Sequence, residues 1–307
     1  MNSREEGFLL LTSRLGDAQR RPLTVAQMRE LERCVRRSPR PTENRELLPE
    51  DLIQMGCSEE TAHRVVALLE DRRQLSLYLQ QGREKGCFPL SRMTRGYPEK
   101  LQKSLGEETP GCIWYKGNLS LLDRPAIALV GSRDLAPDNA QFAKQVGELA
   151  AKYHLTLISG NARGADTIAQ DSCLRAGGNV ICVVADQLMR KAEMPQVLYL
   201  SEDGFDVPFC AQRALSRNRL IHCLGKVTFV AQCSNGTGGT WDGTSRNLKG
   251  AWSPVYCLPD GSSAVVKLYQ MGAKMVRMTE LEQLFAEISD QIGENHNDFH
   301  KNDKMIK

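Results

Sequence analysis

The chain has 307 residues, 41% hydrophobic and 25% charged, with a net charge of +3. That is an ordinary globular composition with length for two domains, and its mild basicity neither demands nor excludes a polyanionic partner. Ten cysteines without a C-x-x-C pair argue against zinc, and no apolar run has membrane-spanning length. The polar start Met1-Asn2-Ser3-Arg4 is no signal peptide, and unpaired thiols suit a reducing cytosol.

Residues 1–80 read as helices with polar joints. Thr24 is placed to cap a helix from Val25, and Arg33 to Pro41 is a basic break that reads as a solvated loop. Leu48 to Met55, a turn at Gly56 and a helix opened by Ser58-Glu59-Glu60 form a short-helix, glycine-turn, helix unit of the SAM-like or helix-hairpin-helix kind. Residues 81–125 are expected to be a connector, with a strand-like stretch at Ile113 to Asn118.

From Ala126 the pattern changes. Apolar runs at 126–130, 155–159, 180–185, 227–232, 255–259 and 274–278 alternate with helical segments at 139–153, 164–176, 211–224, from near Trp241, 263–271 and 280–290. Continuous apolar strands separated by helices predict a mostly parallel α/β sheet covered on both faces, over 126–290. Ligands of such sheets bind at the C-terminal strand edge. The polar residues 291–307 read as a disordered tail.

Four loops at that edge carry anion-binding chemistry. The first is Gly131-Ser132-Arg133 after the strand Ala126–Val130, and the second spans Ser159-Gly160-Asn161-Ala162-Arg163-Gly164-Ala165-Asp166. The third is the basic helix start with Arg213, Arg217, Asn218 and Arg219. The fourth is Gly236-Thr237-Gly238-Gly239-Thr240, followed by Trp241 and Asp242. Glycine lets the backbone approach a phosphate, free amides at turns and helix starts donate to it, and arginine adds a fork of donors. The G-x-G-x-x-G and Walker A patterns are absent, which argues against a dehydrogenase and a P-loop ATPase. Asp166 and Asp242 are the acids a nucleotide hydrolase would use. Trp241 is expected to pack in the core, and the five histidines lie outside the candidate loops.

At these residues the chain resembles the DNA-processing protein A family, also called Smf. Ala128 to Arg133, Ser159 to Asp166, Ala176-Gly177-Gly178 and Arg217 to Ile221 carry the likeness, with Trp114 to Leu119 before them and Leu258 to Gly261 and Met271 to Val276 after. The resemblance implies a Rossmann-like fold that binds single-stranded DNA, works as a homodimer and delivers the strand to RecA recombinase in natural transformation, with no cofactor. Carried over by position, Arg133, Arg163, Arg217, Asn218 and Arg219 would hold the strand, with the amides of Ser132, Gly160 and Gly164 as neutral donors. The family's aromatic three residues before the Arg-Asn pair is Ala214 here, so its stacking platform is lost or moved to Phe209. The loop at 236–243 is more similar to the nucleotide-binding loops of the wider superfamily that includes the cytokinin-activating phosphoribohydrolases. A nucleotide sensor or hydrolase, serving defence against foreign DNA, is therefore the alternative.

Overall fold

The computed structural model describes residues 1–37 and 46–302, the side chains of 292–302 excepted. Of the basic break, residues 38–41 lie outside the described residues. Contacts divide the chain into two units. The first comprises 1–115 with 187–189 and 201–207, and the second comprises 116–186, 190–200 and 208–307. The expected bounds at 80 and 125 do not coincide with these units, because the first part of the connector contacts the N-terminal helices.

The first unit is built on five helices, α1 (Ser3–Thr12), α2 (Val25–Arg37), α3 (Pro49–Gln54), α4 (Glu59–Glu70) and α5 (Arg72–Glu84). Thr24 Oγ1 accepts from Gln27 N at 3.2 Å and Ser58 Oγ from Thr61 N at 3.4 Å, so both expected caps form. Leu23, Leu31, Leu52, Val65 and Leu68 gather in one apolar cluster. Beside it Arg20 is buried: its guanidinium donates to the carbonyls of Leu10 (2.8 Å), Leu68 (3.1 Å) and Ser13 and pairs with Asp71 at 2.9 Å. One side chain thus satisfies carbonyls from two segments, the end of α1 and α4. Strand β1 (Cys87–Ser91), helix α6 (Glu99–Leu105) and strand β2 (Cys112–Gly117) follow, with β1 beside β2.

The second unit holds β3 (Ala126–Val130), α7 (Pro137–Lys152), β4 (Thr156–Ser159), α8 (Ala165–Arg175), β5 (Val180–Val183) and β6 (Val197–Ser201). After these come α9 (Ala211–Ser216), α10 (Asn218–Leu224), β7 (Thr228–Val230), α11 (Gly238–Gly250), β8 (Val255–Cys257), α12 (Ser263–Gln270), β9 (Lys274–Met275) and α13 (Leu281–Asn302). The strands run in the order β6-β5-β4-β3-β7-β8-β9, and every one of these pairings is parallel. All five residues of β3 are buried, as two covered faces require. Helix α7 packs against α8 and α13, while α10 packs against α11. Phe229 of β7 stacks on Phe285 of α13 at 5.2 Å and on Tyr256 of β8 at 5.8 Å.

The chain winds from β3 through β4 and β5 to β6 in one direction, then restarts beside β3 and winds through β7, β8 and β9 in the other. The order therefore reverses between β3 and β7. There the loops leaving the strands diverge and open a crevice.

Several expected boundaries shift. The single helix over 211–224 is two helices, α9 and α10, broken at Arg217. Strand β6 lies between the expected strand at 180–185 and the expected helix at 211–224, where no element was expected. The helix expected near Trp241 starts at Gly238, so Gly238 to Thr240 form its first turn rather than a loop. The segment from 291, expected to be disordered, is helical to Asn302, and 303–307 lie outside the described residues. Among the described residues no helix is long and apolar enough to cross a membrane.

Candidate functional site

Two lobes of one cleft lie at the C-terminal strand edge beside the switch point. The larger, about 570 Å³, is bounded by Gly131 to Asp134 after β3, by Gln232 and Ser234 after β7, by the α9–α10 junction and by Thr237 to Thr240. The smaller, about 500 Å³, is bounded by Gly160 to Arg163 after β4 and by Ala185 and Asp186 after β5. Arg133, Ala162, Phe209, Ala214 and Arg217 line both. These volumes suit small-ligand clefts. Ser132, Asn218 and Thr240 meet in one lobe and Asn161 in the other, so all four expected loops reach the cleft.

The loop walls are fixed by the backbone. A Cβ on Gly131 would collide with Ala165, and Gly164 (φ +91°) lies against the carbonyls of Ser132 and Arg133, with Ala165 N donating to Ser132 O at 3.1 Å. Only glycine allows this approach of β3's exit to α8. Ser132 N in turn donates to Gln232 O at 2.9 Å, which ties the β3 and β7 tips together. Asn161, at φ +55°, turns the second loop.

Arg217 and Asp166 form the buried centre. Both are less than a tenth exposed, and Arg217 Nη2 lies 3.9 Å from Asp166 Oδ2. That oxygen also accepts the amides of Gly160 (3.1 Å) and Ala162 (3.2 Å). The guanidinium lies against Gly160, where a Cβ would overlap it. Burial pushes the Asp166 carboxyl up, opposed by Arg217 and the two amides; burial lowers the Arg217 value, opposed by Asp166. A guanidinium remains charged regardless. Arg217 Nε is buried without a hydrogen-bond partner.

The α11 start supplies the remaining donors. Thr237 precedes the helix without a side-chain cap bond, and the amides of Gly238, Gly239 and Thr240 meet no acceptor among the described residues. With the helix dipole, this end attracts anions. Asn218 Nδ2 donates to Gly239 O at 2.8 Å and holds α11 to α10. Behind that contact His222 is fully buried: its Nδ1 meets Asn247 Nδ2 at 3.1 Å and Thr228 Oγ1 at 3.3 Å, and burial lowers its pKa to about 3. This ring is part of the packing, outside the cleft.

Other expected site residues have different tasks. The amides of Ser132 and Gly160 are consumed inside the protein, so neither is a free donor for a ligand. Arg213 is buried, with Nη1 donating to the carbonyls of Ala185 (2.7 Å) and Pro208 (2.8 Å); it braces the loop before α9. Arg219 is half-buried with Nε on Ser216 O at 3.2 Å, and Arg219, Ser159, Gly164 and Gly236 line neither lobe. Arg163 lies at the rim, ion-paired to Asp134 at 2.8 Å. Arg133 is exposed and makes no ion pair among the described residues. Asp242 points outside both lobes, and Trp241 is half-buried rather than in the core. Leu215, Ser234 and Asp186 were missed; the position of Asp186, three residues past the end of β5, was the available signal.

A parallel sheet with a cleft at its switch point defines a Rossmann-like α/β protein. Residues 90–289 match the family model of DNA recombination-mediator protein A, and the chain belongs to that family. It is 30% identical over 182 residues to DNA processing protein DprA of Streptococcus pneumoniae and 29% identical over 204 residues to Protein Smf of Escherichia coli. These matches cover 55% and 61% of this chain, but only 64% and 53% of the relatives' own lengths. The crystal structure of the pneumococcal DprA superposes with a TM-score of 0.69 at 26% identity, over 90% of this chain and 95% of that one. A DNA processing protein A from Helicobacter pylori, described for its single-stranded DNA binding mode, has a TM-score of 0.54 at 21% identity over 68% of this chain and 96% of that one. This second likeness speaks to the fold alone.

Proposed function

We propose that the protein binds single-stranded DNA in the two-lobed cleft and acts as a recombination mediator. The observation that carries this reading is the meeting of Arg133, Arg217 and the open α11 amides in one cleft at the switch point. Positive side chains and uncommitted N–H groups on one wall fit a phosphodiester backbone. Family membership supports the same ligand. Within this reading the protein passes the strand to RecA recombinase, in keeping with the family's description as a recombination mediator, and works as a homodimer, as the resemblance implies.

The hydrolase alternative has less support. Asp242 stands outside the cleft, and Asp166 is committed to two amides and Arg217. Neither is placed as a free acid or base beside a ligand.

A fluorescence titration of the full chain with single-stranded oligonucleotide at two salt concentrations tests the proposal. Affinity should fall steeply with salt, and Arg133→Glu should weaken binding to every sequence alike and flatten the salt dependence by about one unit of log–log slope. Equal affinity of the variant and the parent would remove Arg133 from the binding site.

A further inference from the structure

The donors of the cleft are not spread evenly along it. Thr237 to Thr240 line the larger lobe only, Gly160, Asn161 and Arg163 line the smaller only, and Arg133 and Arg217 line both. The α11 start therefore stands at one end of the cleft. Its first turn is packed against the α9–α10 junction: Asn218 Nδ2 donates to Gly239 O at 2.8 Å, and a Cβ on Gly239 would meet Leu215 at 3.3 Å. The tips of β3 and β7, which bound the same lobe, are joined through Ser132 and Gln232.

The amides of Gly238, Gly239 and Thr240 are open at this end, and the Thr237 hydroxyl makes no cap bond to the helix. Arg217 is only 7% exposed, lines the lobe, and its Nε has no hydrogen-bond partner among the described residues. A buried donor without an acceptor is costly unless a ligand supplies one. The two carboxylates that line the lobe are already compensated, Asp134 by Arg163 at 2.8 Å and Asp166 by Arg217 and two amides.

We infer that the larger lobe is an end site, which takes the terminal phosphomonoester of a strand at the α11 start. The strand runs from there past Arg133 and Arg217 into the smaller lobe. An internal phosphodiester brings one negative charge, two free oxygens and a sugar on each side. A terminal phosphomonoester brings a charge of about −1.5 to −2 at neutral pH, three acceptor oxygens and a single sugar. Three amides, a hydroxyl and the unpartnered edge of a buried guanidinium match the larger set of acceptors. The helix dipole and the two arginines favour the extra charge. Strands that end in hydroxyls still bind through their internal phosphates, without this contact. The inference deepens the single-stranded DNA reading above and rests on it.

The test titrates the full chain with three short dT oligonucleotides of equal length, each labelled on a central thymine. One carries a 5′-phosphate, one a 3′-phosphate, and one has hydroxyls at both ends. One of the two phosphorylated strands should bind about tenfold more tightly than the hydroxyl-ended strand, and which one it is gives the direction of the strand in the cleft. Gly239→Glu should abolish that preference, with an unchanged thermal midpoint showing that the variant folds. Thr237→Val, which adds no charge, should narrow the ratio. Equal affinity of the parent for all three strands, or an equal gain from a phosphate at either end, would overturn the end site while leaving backbone binding intact. A full preference surviving in both variants would remove it from the α11 start and overturn the inference as well. Failure of the parent to bind any of the strands would instead overturn the DNA-binding reading itself.

Discussion

At the scale of single residues, the cleft is organised by what its polar atoms already bind. Ser132 N and Gly160 N look like phosphate donors in the sequence, yet each has a partner inside the protein. An amide bonded in the fold is not available to a ligand unless the fold gives it up. Arg133 keeps its guanidinium exposed, whereas Arg213 spends its own on Ala185 and Pro208. The arginine types were legible from the sequence; their division of labour was not, because burial separates a brace from a hook. His222 makes a second prediction at this scale. Its pKa is depressed to about 3 by burial, so the folded state keeps the ring neutral while the unfolded chain takes up a proton below about 6.5. The stability held by the neutral ring is complete above pH 6.5. It is lost as the pH falls from there toward about 3, by up to about 1.4 kcal/mol per pH unit. Urea midpoints measured across that range should slope less in His222→Gln than in the parent, and an unchanged slope would assign the titration to another group.

At the scale of elements, α11 decides the character of the site. The run Gly236 to Thr240 reads as a flexible glycine loop, but Gly238 already opens a helix, and its first turn presents backbone N–H groups with a fixed direction. Asn218 holds that turn against α10, and His222 lies against Gly243 further along α11. Placing a carboxylate there should repel a polyanion. Gly239→Glu is expected to weaken oligonucleotide binding by about 1.4 kcal/mol, tenfold, or more. The thermal midpoint should change little, since an acid suits a helix start, and the added Cβ meets only Asn218 Nδ2 at 3.0 Å and Leu215 at 3.3 Å. Undiminished oligonucleotide affinity in this variant would detach α11 from function. Helix α7 was legible from its long apolar period and β3 from its continuous apolar run. Strand β6 has the same five residues in length but includes a tyrosine and a serine, and it escaped together with the break at Arg217, which tertiary packing places.

At the scale of the whole molecule, each unit has its own core, and the candidate site lies within the second unit alone. In the first unit the buried Arg20 ties the end of α1 to α4. Arg20→Met would strand the carbonyls of Leu10, Ser13 and Leu68 and leave Asp71 without its partner. A loss of about 3 kcal/mol or more is expected in denaturant unfolding, with the oligonucleotide affinity of folded protein unchanged. A variant as stable as the parent would show that the Arg20 bonds contribute nothing net. The sequence by itself determined the alternation of buried strands and helices, hence a parallel sheet with loops along one edge, since periodicity and strand-end glycines are local properties. Only the tertiary structure decided that strand order reverses between β3 and β7, that Arg217 is buried over Gly160, and that Phe209 lines both lobes. Those facts depend on residues far apart in the chain competing for the same space and the same hydrogen-bond partners, which no local pattern records.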